Sequence, residues 1–216
     1  SYATAEYDDS SWRKLHLPHD WSVEGEFDAN NPSTPAGGAL PGGIGWYRKH
    51  FTTPNIENRV VNVEFDGIFM NSTVYVNGHE VGFRPYGYSS LSYDITPFLN
   101  PAGEQNTIAV RCDNSDQPNS RWYAGCGIYR NVRLVVTSDI FVEYCGTYIT
   151  TPKVSDKSAT INAEVTITNK GKADRNITVV NDILNALDKR VCRTKATKLI
   201  PAGESVQVTM DITIPT

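Results

Sequence analysis

Thr73-Val74-Tyr75-Val76-Asn77-Gly78-His79-Glu80-Val81-Gly82-Phe83 is the stretch on which the fold turns. Two β-rich runs flank an Asn-Gly pair. A type I′ turn needs positive φ at both central residues, and Asn and Gly accept that at the least steric cost. The dipeptide therefore predicts a tight hairpin over 73–83. Period-two alternation continues on both sides of it. Val61, Val63 and Phe65 alternate with Asn62 and Glu64, and Ile108, Val110 and Cys112 alternate with Ala109 and Arg111. Ile128-Tyr129 leads through Val132, Leu134 and Val136 into another expected strand. Long stretches of 3.6-residue period are missing, so the chain is expected to be all-β.

The composition changes after Thr137-Ser138. Residues 139–216 hold no Trp and are rich in Thr, Val, Ile and Asn. Strands are expected over 141–150, 159–168, 176–184, 188–197 and 205–214, with turns at Asn169-Lys170-Gly171-Lys172 and Pro201-Ala202-Gly203-Glu204. This spacing suits an immunoglobulin-like β-sandwich over 139–216. Residues 1–138 carry all the tryptophans and two long loops, which suits a jelly-roll β-sandwich. The first loop runs from Asn30 to Gly45 and is dense in Pro and Gly; the second runs from Asp113 to Gly127. Loops of this length are often functional.

Several classes of function are disfavoured. The 216 residues suffice for two self-supporting cores but fall short of a (β/α)₈ barrel of about 250 residues. No apolar run approaches the ~20 residues of a membrane span, and no signal-peptide pattern opens the chain. A net charge of −4 with no basic face argues against nucleic acid. Cys112, Cys126, Cys145 and Cys192 lack zinc spacing; buried free thiols are favoured over a Cys112–Cys126 bridge. Gly42-Gly43-Ile44-Gly45 lacks the Lys-Ser/Thr and the helix of a phosphate cradle, so no cofactor is expected. No G-x-S-x-G elbow or H-E-x-x-H motif occurs. His19, beside Asp20-Trp21, is expected to fix a turn by bonding backbone, and Asp8-Asp9 to form a capping turn. Asp20, Glu24, Glu26 and Asp28 read as solvated loop acids. No catalytic residue and no metal ligand is assigned.

Aromatic side chains beside polar loop residues remain. Trp122-Tyr123 follows Arg121 and lies near Asn114, Asn119 and Ser120; Trp46-Tyr47 ends the glycine-rich loop; Tyr86 and Tyr88 flank Gly87. An aromatic face covers the apolar face of a pyranose while Arg and Asn donate to hydroxyls. Aromatics at the edge of a core would look the same in sequence. Arg121 and Trp122 are the leading substrate-binding candidates, with Asn119 and Asn114 behind them. Arg48 and Arg130 are read as structural ion-pair partners.

Four stretches occur together in order. They are Asp8-Asp9-Ser10-Ser11-Trp12 with Leu17-Pro18-His19-Asp20-Trp21; Gly43-Ile44-Gly45-Trp46-Tyr47-Arg48-Lys49-His50-Phe51; Phe65 to Gly78; and Ser120 to Arg130. The set resembles the N-terminal region of family 2 glycoside hydrolases, in particular β-galactosidases of Bacteroides-like bacteria. The resemblance implies a jelly-roll sugar-binding domain over 1–138 and an immunoglobulin-like domain, incomplete at its last strands, over 139–216. Such a sandwich would leave an open sheet edge. The resemblance also implies that a TIM barrel elsewhere supplies two catalytic glutamates for retaining hydrolysis. A β-galactoside and that barrel would be the partners, in a periplasmic or secreted setting, with room for a homo-oligomer. Where some members place an Asn that reaches the galactose, this chain has Gly42. The competing readings are an independent carbohydrate-binding module and a purely structural sandwich, the latter requiring Trp122 in a core.

Overall fold

The computed structural model describes residues 1–120 and 122–215. The chain divides into two compact units, Ser1–Val136 and Thr137–Thr216. Both are built from strands, with three single-turn 3₁₀ segments among the described residues, at Ser22–Glu24, Pro35–Gly37 and Thr96–Phe98.

The first unit is a sandwich of two sheets. The strands are β1 (Gly43–Thr52), β2 (Arg59–Phe65), β3 (Ser72–Val76), β4 (His79–Arg84), β5 (Leu91–Asp94), β6 (Gln105–Asn114) and β7 (Val132–Ser138). One sheet has the order β1-β6-β3-β4 and the other β5-β2-β7. The β3–β4 hairpin closes through Asn77 at φ 49° and Gly78 at φ 85°, with Val76 opposite His79, as a type I′ turn requires. Asn77 also anchors the turn. Its Nδ2 donates to the Phe98 carbonyl at 2.8 Å and to Asn106 Oδ1 at 2.9 Å, and its Oδ1 accepts from the Thr107 N–H at 2.9 Å. Val61, Val63 and Phe65 of β2 point inward with Val74, Val76, Val110 and Cys112 from the facing sheet. Each such buried side chain contributes about 1.5–3 kcal/mol.

Two strand expectations need correction. The expected strand at Ile128 begins only at Val132. Gly127 takes φ +117° and makes a single bridge to Phe69, so the chain turns there. Ile128 is still buried in the core, which explains its apolar identity. The 30–45 loop contains the Pro35–Gly37 turn and gives way to β1 at Gly43.

The second unit holds β8 (Ile140–Val154), β9 (Ser158–Asn169), β10 (Arg175–Leu184), β11 (Arg190–Ile200) and β12 (Ser205–Pro215). β12-β9-β8 form one sheet and β10-β11 the other. Val165, Ile167, Val208, Met210 and Ile200 fill the space between them. Asn169, fully buried, secures the turn after β9: its Nδ2 donates to the carbonyls of Ala173 and Ile200, and its Oδ1 accepts from the Gly171 N–H. On the β10–β11 side Val180, Leu184, Val191 and Leu199 are exposed.

Candidate functional site

Antiparallel pairing puts Gly43, at the start of β1, opposite Asn114, at the end of β6. The glycine-rich loop and the 113–127 loop therefore meet at one end of the four-stranded sheet. A Cβ on Gly42 would lie 2.6 Å from the Asn114 carbonyl oxygen, so glycine is what lets the two backbones touch there. Gly38 sits beside Tyr123 at φ +93°, a backbone conformation that favours glycine.

Asn114 is buried and works as a strut. Its Nδ2 donates to the Gly125 carbonyl at 3.1 Å, and its Oδ1 accepts from Asn119 Nδ2. Its backbone carbonyl accepts from Gln117 Nε2 at 3.3 Å. Asp20 holds the far end of the loop. Its carboxylate accepts from the backbone N–H groups of Ser22 at 2.9 Å and Cys126 at 3.0 Å, and from the Tyr123 hydroxyl. Burial, then the Asp20 carboxylate it donates to, push the Tyr123 phenol well above its ordinary range. Burial also raises the Cys126 thiol above its ordinary value. These groups are neutral donors in a scaffold, not acids or bases poised near neutrality.

Of the residues expected at the site, Asn114, Asn119 and Trp122 come together along one narrow cleft with Gln117 and Tyr123. Arg121 lies outside the described residues. Asn119 is exposed, and its amide already serves Asn114. Trp122 is 71% exposed, which excludes the core position that a purely structural sandwich requires. The cleft holds about 10 Å³, room for one water and not for a sugar ring.

Phe69, bridged to Gly127, carries Tyr88 against it at 5.1 Å, and Tyr86 meets Tyr88 at 5.7 Å. Met70 accepts from the Asp113 N–H at 2.9 Å. The Tyr86–Tyr88 group thus belongs to the same end as the Trp122 loop. Trp46 and Tyr47 diverge instead: Tyr47 packs against the core and Trp46 stacks on Tyr75 at 5.8 Å.

Sequence reasoning missed Asp20, Tyr123 and Gln117. Asp20 and Tyr123 are 103 residues apart, and nothing local marks either as a partner of the other. The expected backbone role of His19 is also replaced. Its Nδ1 meets the Tyr47 hydroxyl at 2.7 Å and its Nε2 lies 3.2 Å from Glu24. Asp8 does cap a turn, through the Ser10 N–H, whereas Asp9 pairs with Arg48 at 2.8 Å. Arg130 is exposed, and the bidentate pair with Asp66 is made by Arg133. Cys112 and Cys126 are buried free thiols, while Cys145 is exposed and Cys192 partly so. No group of three or more His, Cys, Asp or Glu side chains among the described residues is arranged to hold a metal.

The first unit is thus a β-sandwich whose long loops gather aromatic and amide side chains at one end. The comparisons give the family. Residues 14–138 match the family model described as "Glycosyl hydrolases family 2, sugar binding domain". The chain belongs to glycoside hydrolase family 2. A beta-galactosidase of Bacteroides ovatus is 48% identical over 207 residues, 95% of this chain and 24% of that protein. A family 2 member from Bacteroides cellulosilyticus superposes with a TM-score of 0.92 at 34% identity, covering 99% of this chain and 28% of that one. A beta-glucuronidase of Bacteroides uniformis superposes with a TM-score of 0.88 at 28% identity, covering 99% and 25%. The chain thus spans about a quarter of the length of these relatives.

Proposed function

We propose that this chain is the substrate-shaping, non-catalytic part of a retaining β-galactosidase-like glycosidase. Its 30–45 and 113–127 loops form one wall of a carbohydrate pocket whose other wall, with both catalytic glutamates, is a TIM barrel. The observation that carries the reading is the pairing of a water-sized cleft with a 71% exposed Trp122 above it. An indole displayed over a cleft too small for a sugar needs a second surface before it can enclose one. Arg121, Trp122 and Asn119 are the residues assigned to the sugar, and Asn114 holds the loop that presents them. The β-galactosidase of Bacteroides ovatus, 48% identical, supports galactoside as the substrate class.

The expected outcome is that the 216-residue chain hydrolyses no aryl β-galactoside, whereas a polypeptide that joins it to a family 2 barrel does. In that longer enzyme Trp122→Ala is expected to raise KM by about tenfold, a loss near 1.4 kcal/mol. Hydrolysis by the chain alone, or an unchanged KM, would refute the assignment. The exposure of Trp122 also favours a second reading, an independent carbohydrate-binding module. Submillimolar galactoside binding by the chain alone, measured by calorimetry and lost in Trp122→Ala, would establish that reading in its place.

A further inference from the structure

A second concavity lies beside β1, the terminal strand of the four-stranded sheet. It measures about 240 Å³, against 10 Å³ for the cleft at Trp122. Trp12, Trp21 and Trp46 line it, so every tryptophan of the chain except Trp122 is in this one groove. The rings are held by their neighbours. Trp46 has Tyr75 stacked on it and Tyr2 at its edge, 5.5 Å away; Trp12 packs edge-on against Tyr2 and Tyr7, both at 5.6 Å. Trp21 lies flat enough on Gly45 that a Cβ there would approach its ring to 2.5 Å. A ligand that meets rings already fixed avoids the cost of ordering them.

Arg13, His19 and Tyr47 supply the polar part of the lining, and Leu15 and Ile44 complete the apolar part. Behind the lining, Glu24 Oε2 accepts from Arg13 Nη2 at 2.6 Å, and His19 Nε2 lies 3.0 Å from Arg13 and 3.2 Å from Glu24. The Tyr47 hydroxyl supports the other face of the imidazole at 2.7 Å. Arg13 draws the Glu24 carboxyl below its ordinary range, so both partners are charged and each offsets the other.

We propose that this groove is a carbohydrate-binding site for one neutral hexopyranose ring. The C–H face of a pyranose matches the indoles, and its hydroxyls can accept from Arg13. An anionic ligand would compete with Glu24 for Arg13, and a cationic one would meet the Arg13 guanidinium; a neutral polyol avoids both. A purely apolar occupant would strip water from the Arg13–Glu24–His19 cluster and return no hydrogen bond, which is costly. The volume lies just under the roughly 300 Å³ at which ligand pockets usually begin, enough for one ring and too little for a chain. The proposal stands apart from the role given to Trp122, because no side chain of that cleft lines this groove.

The test uses the chain with Trp122→Phe, which leaves only groove tryptophans to report. Methyl β-galactopyranoside is titrated against it by tryptophan fluorescence. A saturable change is expected. Arg13→Ala, checked for retained β-structure by circular dichroism, is expected to weaken binding about tenfold, as loss of a charged hydrogen bond does. Trp12→Ala, checked for retained β-structure by circular dichroism, is expected to weaken it at least as much. The absence of a saturable change would overturn the proposal, as would binding that Arg13→Ala leaves intact. Tighter binding of methyl β-glucuronide than of the galactoside would overturn the choice of a neutral sugar. Failure here leaves the Trp122 assignment standing, since the two linings share no residue.

Discussion

Arg48 shows how much a single side chain organises. Its side chain is 1% exposed, yet it is charged. It donates to the backbone carbonyls of Tyr2, Thr4 and Tyr7 and to the Asp9 carboxylate, with its guanidinium 5.5 Å from the centre of the Tyr7 ring. The first nine residues therefore wrap around one planar fork. A lysine offers a point charge and cannot serve carbonyls in several directions at once. Arg48→Lys is expected to destabilise the fold by about 2–4 kcal/mol, through carbonyls left without a donor. The role of Arg48 was legible in the sequence as an ion pair, but its partner was not, because Asp9 is 39 residues away. Asp9 gives this cluster a pH signature. The Arg48 guanidinium, then His50, hold its carboxyl below the ordinary value of 3.8. A depressed carboxylate stabilises the fold fully above its unfolded pKa and loses that contribution as pH falls through the folded one. Asp9→Asn is therefore expected to lower the melting temperature at neutral pH, with the gap to the native chain closing below about pH 4. A melting series from pH 7 to pH 2.5 measures it, and a gap that stays constant across the range would contradict the linkage.

At the scale of elements, the 113–127 loop depends on its last residue as much as on its exposed ones. Gly127 exchanges two backbone hydrogen bonds with Phe69, at 2.9 and 2.7 Å, and holds φ at +117°. A Cβ there would sit 2.2 Å from the Tyr47 hydroxyl and 3.0 Å from the His19 carbonyl. The tyrosine could shift, but the carbonyl is backbone. Gly127→Ala is expected to cost at least about 2 kcal/mol. It should also expose the neighbouring Cys126 thiol to modification by a bulky disulfide reagent, whereas the native chain protects it; equal protection in both would show that the loop absorbs the change. The β3–β4 hairpin and the five strands of the second unit were legible because turn chemistry and period-two alternation are local. β5 was missed because the run from Leu91 to Asp94 is too short to show a period. The strand expected at Ile128 was misplaced because a buried apolar residue in a non-repeating segment looks like a strand residue. Of the candidate site, the aromatics and asparagines were legible as types. Which of them display themselves and which act as struts was not, because that depends on Asp20, Tyr123 and the Gly42–Asn114 contact.

For the whole molecule, the two cores are the units of stability. The first gathers residues from Val61 to Ile128 and the second from Val165 to Met210, with no residue in common. The second is the smaller, and an 80-residue span with few buried side chains is marginal. All the tryptophans, at positions 12, 21, 46 and 122, lie in the first unit, so indole fluorescence reports that unit alone while far-ultraviolet dichroism reports both. Ile200 is fully buried at the end of β11 and packs in the second core. Ile200→Ala removes three carbons and leaves a cavity, at about 2–4 kcal/mol. For a unit of this size that is a fall of roughly 10 °C or more in its own midpoint. The expected result is an earlier dichroism transition with an unmoved fluorescence midpoint. If the fluorescence midpoint falls by the same amount, the two cores unfold as one, and the Trp122 loop then draws its stability from the whole chain rather than from the sandwich that carries it.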